Sequence, residues 1–153
     1  MFDLKIINAT IIDGTGANRF FGELAVNGNI IVERGQKLGA SKSIYDAEGH
    51  ILCPGIIDTH THYDAQLTWD NSASPSLDLG VTTALIGNCG FTIAPCKPED
   101  RDLNMLNLTK VEGMPFNTLK EGIDWSYETY KEYLYLLERK KLALNVCSYI
   151  GHS

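Results

Sequence analysis

The sequence predicts an α/β fold in two parts: a small all-β segment over residues 1–53 and the start of a parallel βαβ array over 54–153. Three observations predict it. Before Pro54 the chain consists of short β-branched runs separated by glycine-rich turns. From Pro54 onward, apolar strand-like runs alternate with stretches of helical spacing. Histidines and a cysteine stand where two of those later strands end, the usual place for chemistry in parallel α/β folds.

In the first part, Leu4-Lys5-Ile6-Ile7 leads into Thr10-Ile11-Ile12, and Asp13-Gly14-Thr15-Gly16 signals a turn. Glu23-Leu24-Ala25-Val26 and Ile30-Ile31-Val32 flank Asn27-Gly28-Asn29, an Asn-Gly hairpin signal. Ser43-Ile44-Tyr45-Asp46 and His50-Ile51-Leu52 add short strands around Glu48-Gly49.

The second part opens with a strand from Ile56 to His60 after the Pro54-Gly55 breaker. Ser74-Pro75 has the pattern of a helix start, serine as N-cap and proline at the first helical position. Val81-Thr82-Thr83-Ala84-Leu85-Ile86 is a second strand, ending in Gly87-Asn88-Cys89-Gly90. Pro98-Glu99-Asp100 opens a helix carrying Leu103 and Leu106, its acidic residues favoured by the helix dipole. Asp124-Trp125-Ser126 is expected to cap a longer helix reaching Lys141. There Tyr127, Tyr130, Leu134 and Leu137 have core spacing, and Arg139-Lys140-Lys141 fills the last turn. A third strand follows at Leu142-Ala143-Leu144-Asn145-Val146. About a hundred residues follow the β-layer, whereas an eight-stranded β/α barrel takes about 200 or more. The expectation is therefore a truncated barrel holding the first three strands.

Composition narrows the function. The net charge is −6 and the pI about 5.1, with no basic cluster beyond Arg139-Lys140-Lys141, which argues against nucleic-acid or anionic-membrane surfaces. No apolar run approaches the roughly 18–20 residues of a transmembrane helix, and Met1-Phe2-Asp3-Leu4-Lys5 lacks a signal-peptide layout. Four cysteines without a C-x-x-C pair suit free thiols in a reducing compartment, so a cytoplasmic protein is expected.

Side chains two apart on a strand share a face, so His60 and His62 point the same way, with Asp58 one step behind. Cys89, at the end of the adjacent strand, reaches the same rim. Two imidazoles and a thiolate select zinc over magnesium or calcium. Asp58 and Asp64 are candidates for orienting an imidazole; equally, Asp58 suits a satisfied buried acid and Asp64 a helix N-cap. His152 stands equally for a substrate contact or a structural residue. Cys53, Cys96 and Cys147 read as inert, buried small hydrophobes.

At these residues the sequence resembles a known family. Pro54-Gly55-Ile56-Ile57-Asp58-Thr59-His60-Thr61-His62 is similar to the first-strand signature of the amidohydrolase superfamily, and the preceding β-layer resembles its small β-sandwich domain. His62-Tyr63-Asp64-Ala65-Gln66-Leu67, Gly80-Val81-Thr82-Thr83 and Gly87-Asn88-Cys89-Gly90-Phe91 through Ala94-Pro95 narrow the resemblance to the N-acyl-D-amino-acid deacylases, or D-aminoacylases. Val111-Glu112-Gly113-Met114-Pro115 and Ala143-Leu144-Asn145-Val146 leading to Gly151-His152-Ser153 also fit. The resemblance implies a β-sandwich segment followed by the first three strands of a (β/α)8 TIM-type metal-dependent hydrolase barrel. It implies one or two zinc ions, with His60, His62 and Cys89 as ligands and the cysteine replacing the bridging carboxylated lysine of many relatives. Further histidines and the aspartate general base are expected beyond residue 153, so this stretch alone is expected to be inactive.

The implied reaction is hydrolysis of small N-acyl-D-amino acids to a carboxylate and a free D-amino acid. Alternatives are a cyclic-amide hydrolase of hydantoinase or dihydropyrimidinase type, a non-catalytic zinc-binding fragment, and a truncated partner or pseudoenzyme segment. Cysteine at position 89 speaks against the first. An open coordination position speaks against a structural zinc site, which normally has four protein ligands.

Overall fold

The computed structural model describes residues 1–151, so His152 lies outside the described residues. The chain divides into two compact units, Met1–Pro54 and Gly55–Ser153.

The first unit is one mixed sheet of five strands: β1 (Phe2–Ile11), β2 (Phe20–Asn27), β3 (Ile30–Gly35), β4 (Ser41–Asp46) and β5 (Ile51–Leu52). The order is β3-β2-β1-β4, with β5 also pairing with β1. β2 and β3 form the hairpin, pairing Asn27 with Ile30 across a turn that Gly28 enters at φ 58°. The two runs read separately at Leu4–Ile7 and Thr10–Ile12 fall in one strand, which ends at Ile11. Its register shifts between Ile6 and Ala9, where Asn8 takes φ 55° and its amide donates to the Asp46 carboxylate. Asparagine tolerates the left-handed region better than most residues, and here its side chain is held by the neighbouring strand, a low-cost way to build such a bulge. Ala9, Ile11, Leu24 and Ala47 form a small core.

The second unit holds a parallel sheet of β6 (Ile56–Asp58), β7 (Val81–Ile86) and β8 (Asn145–Ser148), in that order. Between β7 and β8 lie α1 (Arg101–Glu112), α2 (Phe116–Gly122) and α3 (Tyr130–Lys140). Among the described residues, no helix is long and apolar enough to cross a membrane. Leu67, Ile86, Ile93, Leu119 and Tyr133 are fully buried and contribute roughly 1.5–3 kcal/mol each for the aliphatic side chains.

Several local expectations are corrected. Ser74-Pro75 does not cap a helix: the short 3-10 turn there spans Leu77–Leu79, after Ser76. The helix after Pro98-Glu99-Asp100 is present as read and carries Leu103 and Leu106, both exposed, while Met105 and Leu108 are buried. The last helix starts at Tyr130, not near Trp125, because Thr129 and Glu132 form a capping box: the Thr129 hydroxyl accepts from Glu132 N, and Glu132 accepts from Thr129 N. That box turns Tyr133, Leu136 and Leu137 inward and leaves Leu134 exposed. The third strand also lies later than read, from Asn145. Cys96 is buried as expected, but Cys53 and Cys147 are exposed.

Thr129→Ala is expected to destabilise the purified protein by about 1 kcal/mol, read as a lower urea midpoint at unchanged slope. A second expectation concerns Asp70. The Ser72 hydroxyl, the Gln66 amide and the backbone N–H groups of Ser72 and Ser74 hold its carboxyl far below the usual carboxylate range. A depressed folded-state pKa contributes stability above the unfolded-state value near 3.9 that is lost as the pH falls further. Asp70→Asn should therefore lower stability at pH 7 and flatten its decline in acid, measured by urea unfolding from pH 6 to pH 2.5.

Candidate metal centre

Two loops, each leaving the carboxyl end of a parallel strand, build the site. β6 stops at Asp58, so His60 and His62 sit in the turn beyond it. The Asp58 carboxylate accepts the backbone N–H of His60 at 3.2 Å; it orders the backbone of this turn rather than an imidazole nitrogen. The two rings approach edge to face, with centroids 5.4 Å apart.

β7 ends at Ile86, and the chain turns through Gly87 (φ 77°), Asn88, Cys89 (φ 58°) and Gly90 (φ 76°). A left-handed conformation at a residue with a Cβ costs about 1–2 kcal/mol. Here the turn aims the thiol back at the histidines: His60 Nε2 lies 3.1 Å from Cys89 Sγ. One ligand atom from each of His60, His62 and Cys89 lies within 4.8 Å of the other two.

Asp64 is fully buried, and burial pushes its carboxyl above the usual carboxylate range, against the pull of the Gly87 N–H and the Thr92 hydroxyl. Its Oδ2 accepts the Gly87 N–H at 3.0 Å, and its backbone carbonyl accepts the Tyr133 hydroxyl at 2.8 Å. Asp64 is thus neither a helix N-cap nor exposed to a substrate.

The sequence reading assigned no role to Glu112. It ends α1 with Oε1 3.9 Å from His62 Nδ1, a nitrogen buried without a hydrogen-bond partner among the described residues. Asp58, His60, His62, Gln66, Glu112 and Met114 line a cavity of about 190 Å³. The approach of Glu112 to His62 gives it a role; in the sequence it stands only within the Val111-Glu112-Gly113-Met114-Pro115 stretch.

The donor set suits a zinc-type ion. Zinc takes imidazole nitrogen at about 2.0–2.1 Å and thiolate sulfur at about 2.3 Å, so donors sharing one ion stand roughly 3–4 Å apart. The three side chains fall near that spacing, and an imidazole nitrogen buried without a partner is a group that an ion or a carboxylate would satisfy.

Gly87 has little room for a substituent. A Cβ there would lie 2.5 Å from the Tyr149 carbonyl oxygen, on a backbone at φ 77°. Gly87→Ala is expected to destabilise the protein by about 1–3 kcal/mol, measured by chemical unfolding.

No family model matches the chain. Over 153 residues it is 31% identical to a D-aminoacylase from Alcaligenes xylosoxydans xylosoxydans, an alignment covering 99% of this chain and 29% of that protein. A crystal structure of a D-aminoacylase, described as defining a novel subset of amidohydrolases, superposes with a TM-score of 0.78 at 29% identity, covering 99% of this chain and 30% of that one. The N-acyl-D-glutamate deacylase of Bordetella bronchiseptica, solved with zinc and a phosphonate inhibitor, gives 0.69 at 30% identity with the same coverages. The chain thus spans about three-tenths of the length of the proteins it matches.

Proposed function

We propose that this chain, which aligns along its whole length with the N-terminal portion of the N-acyl-D-amino-acid deacylases (D-aminoacylases), carries the first metal ligands of a zinc-dependent amidohydrolase. On this reading residues 1–53 belong to a small β-sandwich domain, and residues 54–153 are the first βα units of a (β/α)8 barrel. The substrate is a small N-acyl-D-amino acid, cleaved by water to a carboxylate and a free D-amino acid in the cytoplasm, where thiols stay reduced. The observation that carries the reading is the meeting of His60, His62 and Cys89 from two different strand ends.

When bound, one or two zinc ions supply Lewis acidity toward a carbonyl oxygen. His60 and His62 hold the ion as neutral imidazoles, and Cys89 holds it as a thiolate, having lost its proton. Asp58 keeps the turn carrying His60 in place through the backbone N–H. Proton transfer from water to the leaving amine falls to an aspartate outside these residues.

The alignment over 99% of the chain and the thiol at position 89 favour a linear amide over a hydantoin-type ring. Three ligands with an open position favour catalysis over structural zinc.

In the full-length protein, Cys89→Ala and Cys89→Ser are each expected to lower bound zinc and to reduce kcat/KM by more than about 100-fold, beyond the 10–100-fold typical of losing an outer partner of a ligand. Serine is expected to fail because its hydroxyl does not deprotonate as a thiol does. Zinc content by elemental analysis and amine release from N-acetyl-D-amino acids, their L-enantiomers and a hydantoin provide the readouts. Unchanged zinc and activity would remove Cys89 from the site, and a preference for the hydantoin would move the protein to the cyclic-amide class.

A further inference from the structure

We propose that Asn88 and Asp64 are positioning residues for the metal centre: together they tie the histidine loop to the cysteine loop and hold Cys89 in its left-handed conformation. The proposal rests on the reading of His60, His62 and Cys89 as ligands of one ion.

Three observations carry it. First, Cys89 stands at φ 58° without being a glycine, and such a conformation persists only where the surroundings over-determine it. Second, both residues directly before it are held by the histidine loop. The Gly87 N–H donates to Asp64 Oδ2 at 3.0 Å, and Asn88 Nδ2 donates to the Thr61 carbonyl at 3.2 Å. Thr61 lies between the two histidines and Asp64 two residues beyond the second, so the ties bracket His62.

Third, Thr61 and Asn88 also meet at one atom. The carbonyl oxygen of Leu85, near the end of β7, accepts from Thr61 N at 3.1 Å, Thr61 Oγ1 at 2.9 Å and Asn88 Nδ2 at 2.7 Å. Asn88 thus uses its amide group twice, once on its own turn and once on the opposite loop. Asn88, Thr61 and Asp64 are all buried, so water does not compete for these bonds.

The chemistry sets which substitutions matter. Asn88 acts as a donor toward two carbonyls, so a side chain without N–H or O–H loses its part. Asp64 acts as an acceptor toward Gly87, so an asparagine oxygen can take its place while a leucine cannot.

The test uses cobalt(II) in place of zinc in the full-length protein, because a cobalt-bound thiolate gives a near-ultraviolet charge-transfer band that nitrogen and oxygen ligands lack. Loss of the band in Cys89→Ala assigns it to that residue. Asn88→Ala and Asp64→Leu are expected to weaken the band at saturating cobalt and to lower cobalt affinity about 10–100-fold. Asp64→Asn is expected to keep both near wild type, a rescue that mere loss of packing would not produce. Asn88→Ser, which keeps one donor, provides a milder variant should alanine impair folding, and is expected to fall between. Wild-type bands and affinities in Asn88→Ser, Asn88→Ala and Asp64→Leu would overturn the brace while leaving the metal site standing. Cobalt bound to the wild type without a thiolate band would instead overturn the ligand reading, and the brace with it.

Discussion

The parallel pairing of β6 with β7 is the constraint on which the site depends. Ile57 lies opposite Thr83 and Asp58 opposite Ala84, so both strands run out on the same side and their loops leave from one rim. A histidine pair and a cysteine 27 residues apart in the chain (His62 and Cys89) then need only short turns to meet. Antiparallel pairing would send the two loops to opposite ends of the sheet. The strands are short, and much of the junction's order comes from beyond them: the Leu85 carbonyl gathers three donors, and Tyr133 on α3 fixes the Asp64 backbone from below.

What the sequence reveals follows from how local each signal is. β7 is legible because six β-branched or apolar residues stand between Gly80 and Gly87, and the structure ends the strand where those glycines do. The hairpin between β2 and β3 is legible for the same reason, although the two residues that turn are Gly28 and Asn29, with Asn27 still paired to Ile30. His60, His62 and Cys89 stand out by residue type and by position after strand-like runs, and they lie together in the structure.

The rest depends on tertiary contacts or on a choice between competing local signals. α2 is seven residues long, too short for periodicity to declare, and it forms where Leu119 can be buried. The start of α3 follows from a reciprocal pair, Thr129 with Glu132, that competes with an equally plausible cap at Asp124 or Ser126. Glu112 comes near His62 only through the fold, the two standing 50 residues apart in the chain. Asp64 reads as an orienter of an imidazole or as an N-cap until the backbone of Gly87 is placed against it. For Glu112 and Asp64 the deciding partner lies far away in the chain.

On the proposed reading one ion is shared by Cys89, His60 and His62. X-ray absorption at the zinc edge of the full-length, zinc-loaded protein tests it most directly, because sulfur and nitrogen scatterers differ in distance and strength. One sulfur is expected at about 2.3 Å beside nitrogen or oxygen neighbours near 2.0–2.1 Å, with the sulfur shell lost in Cys89→Ala. A coordination shell of nitrogen and oxygen alone in the wild-type protein would contradict it.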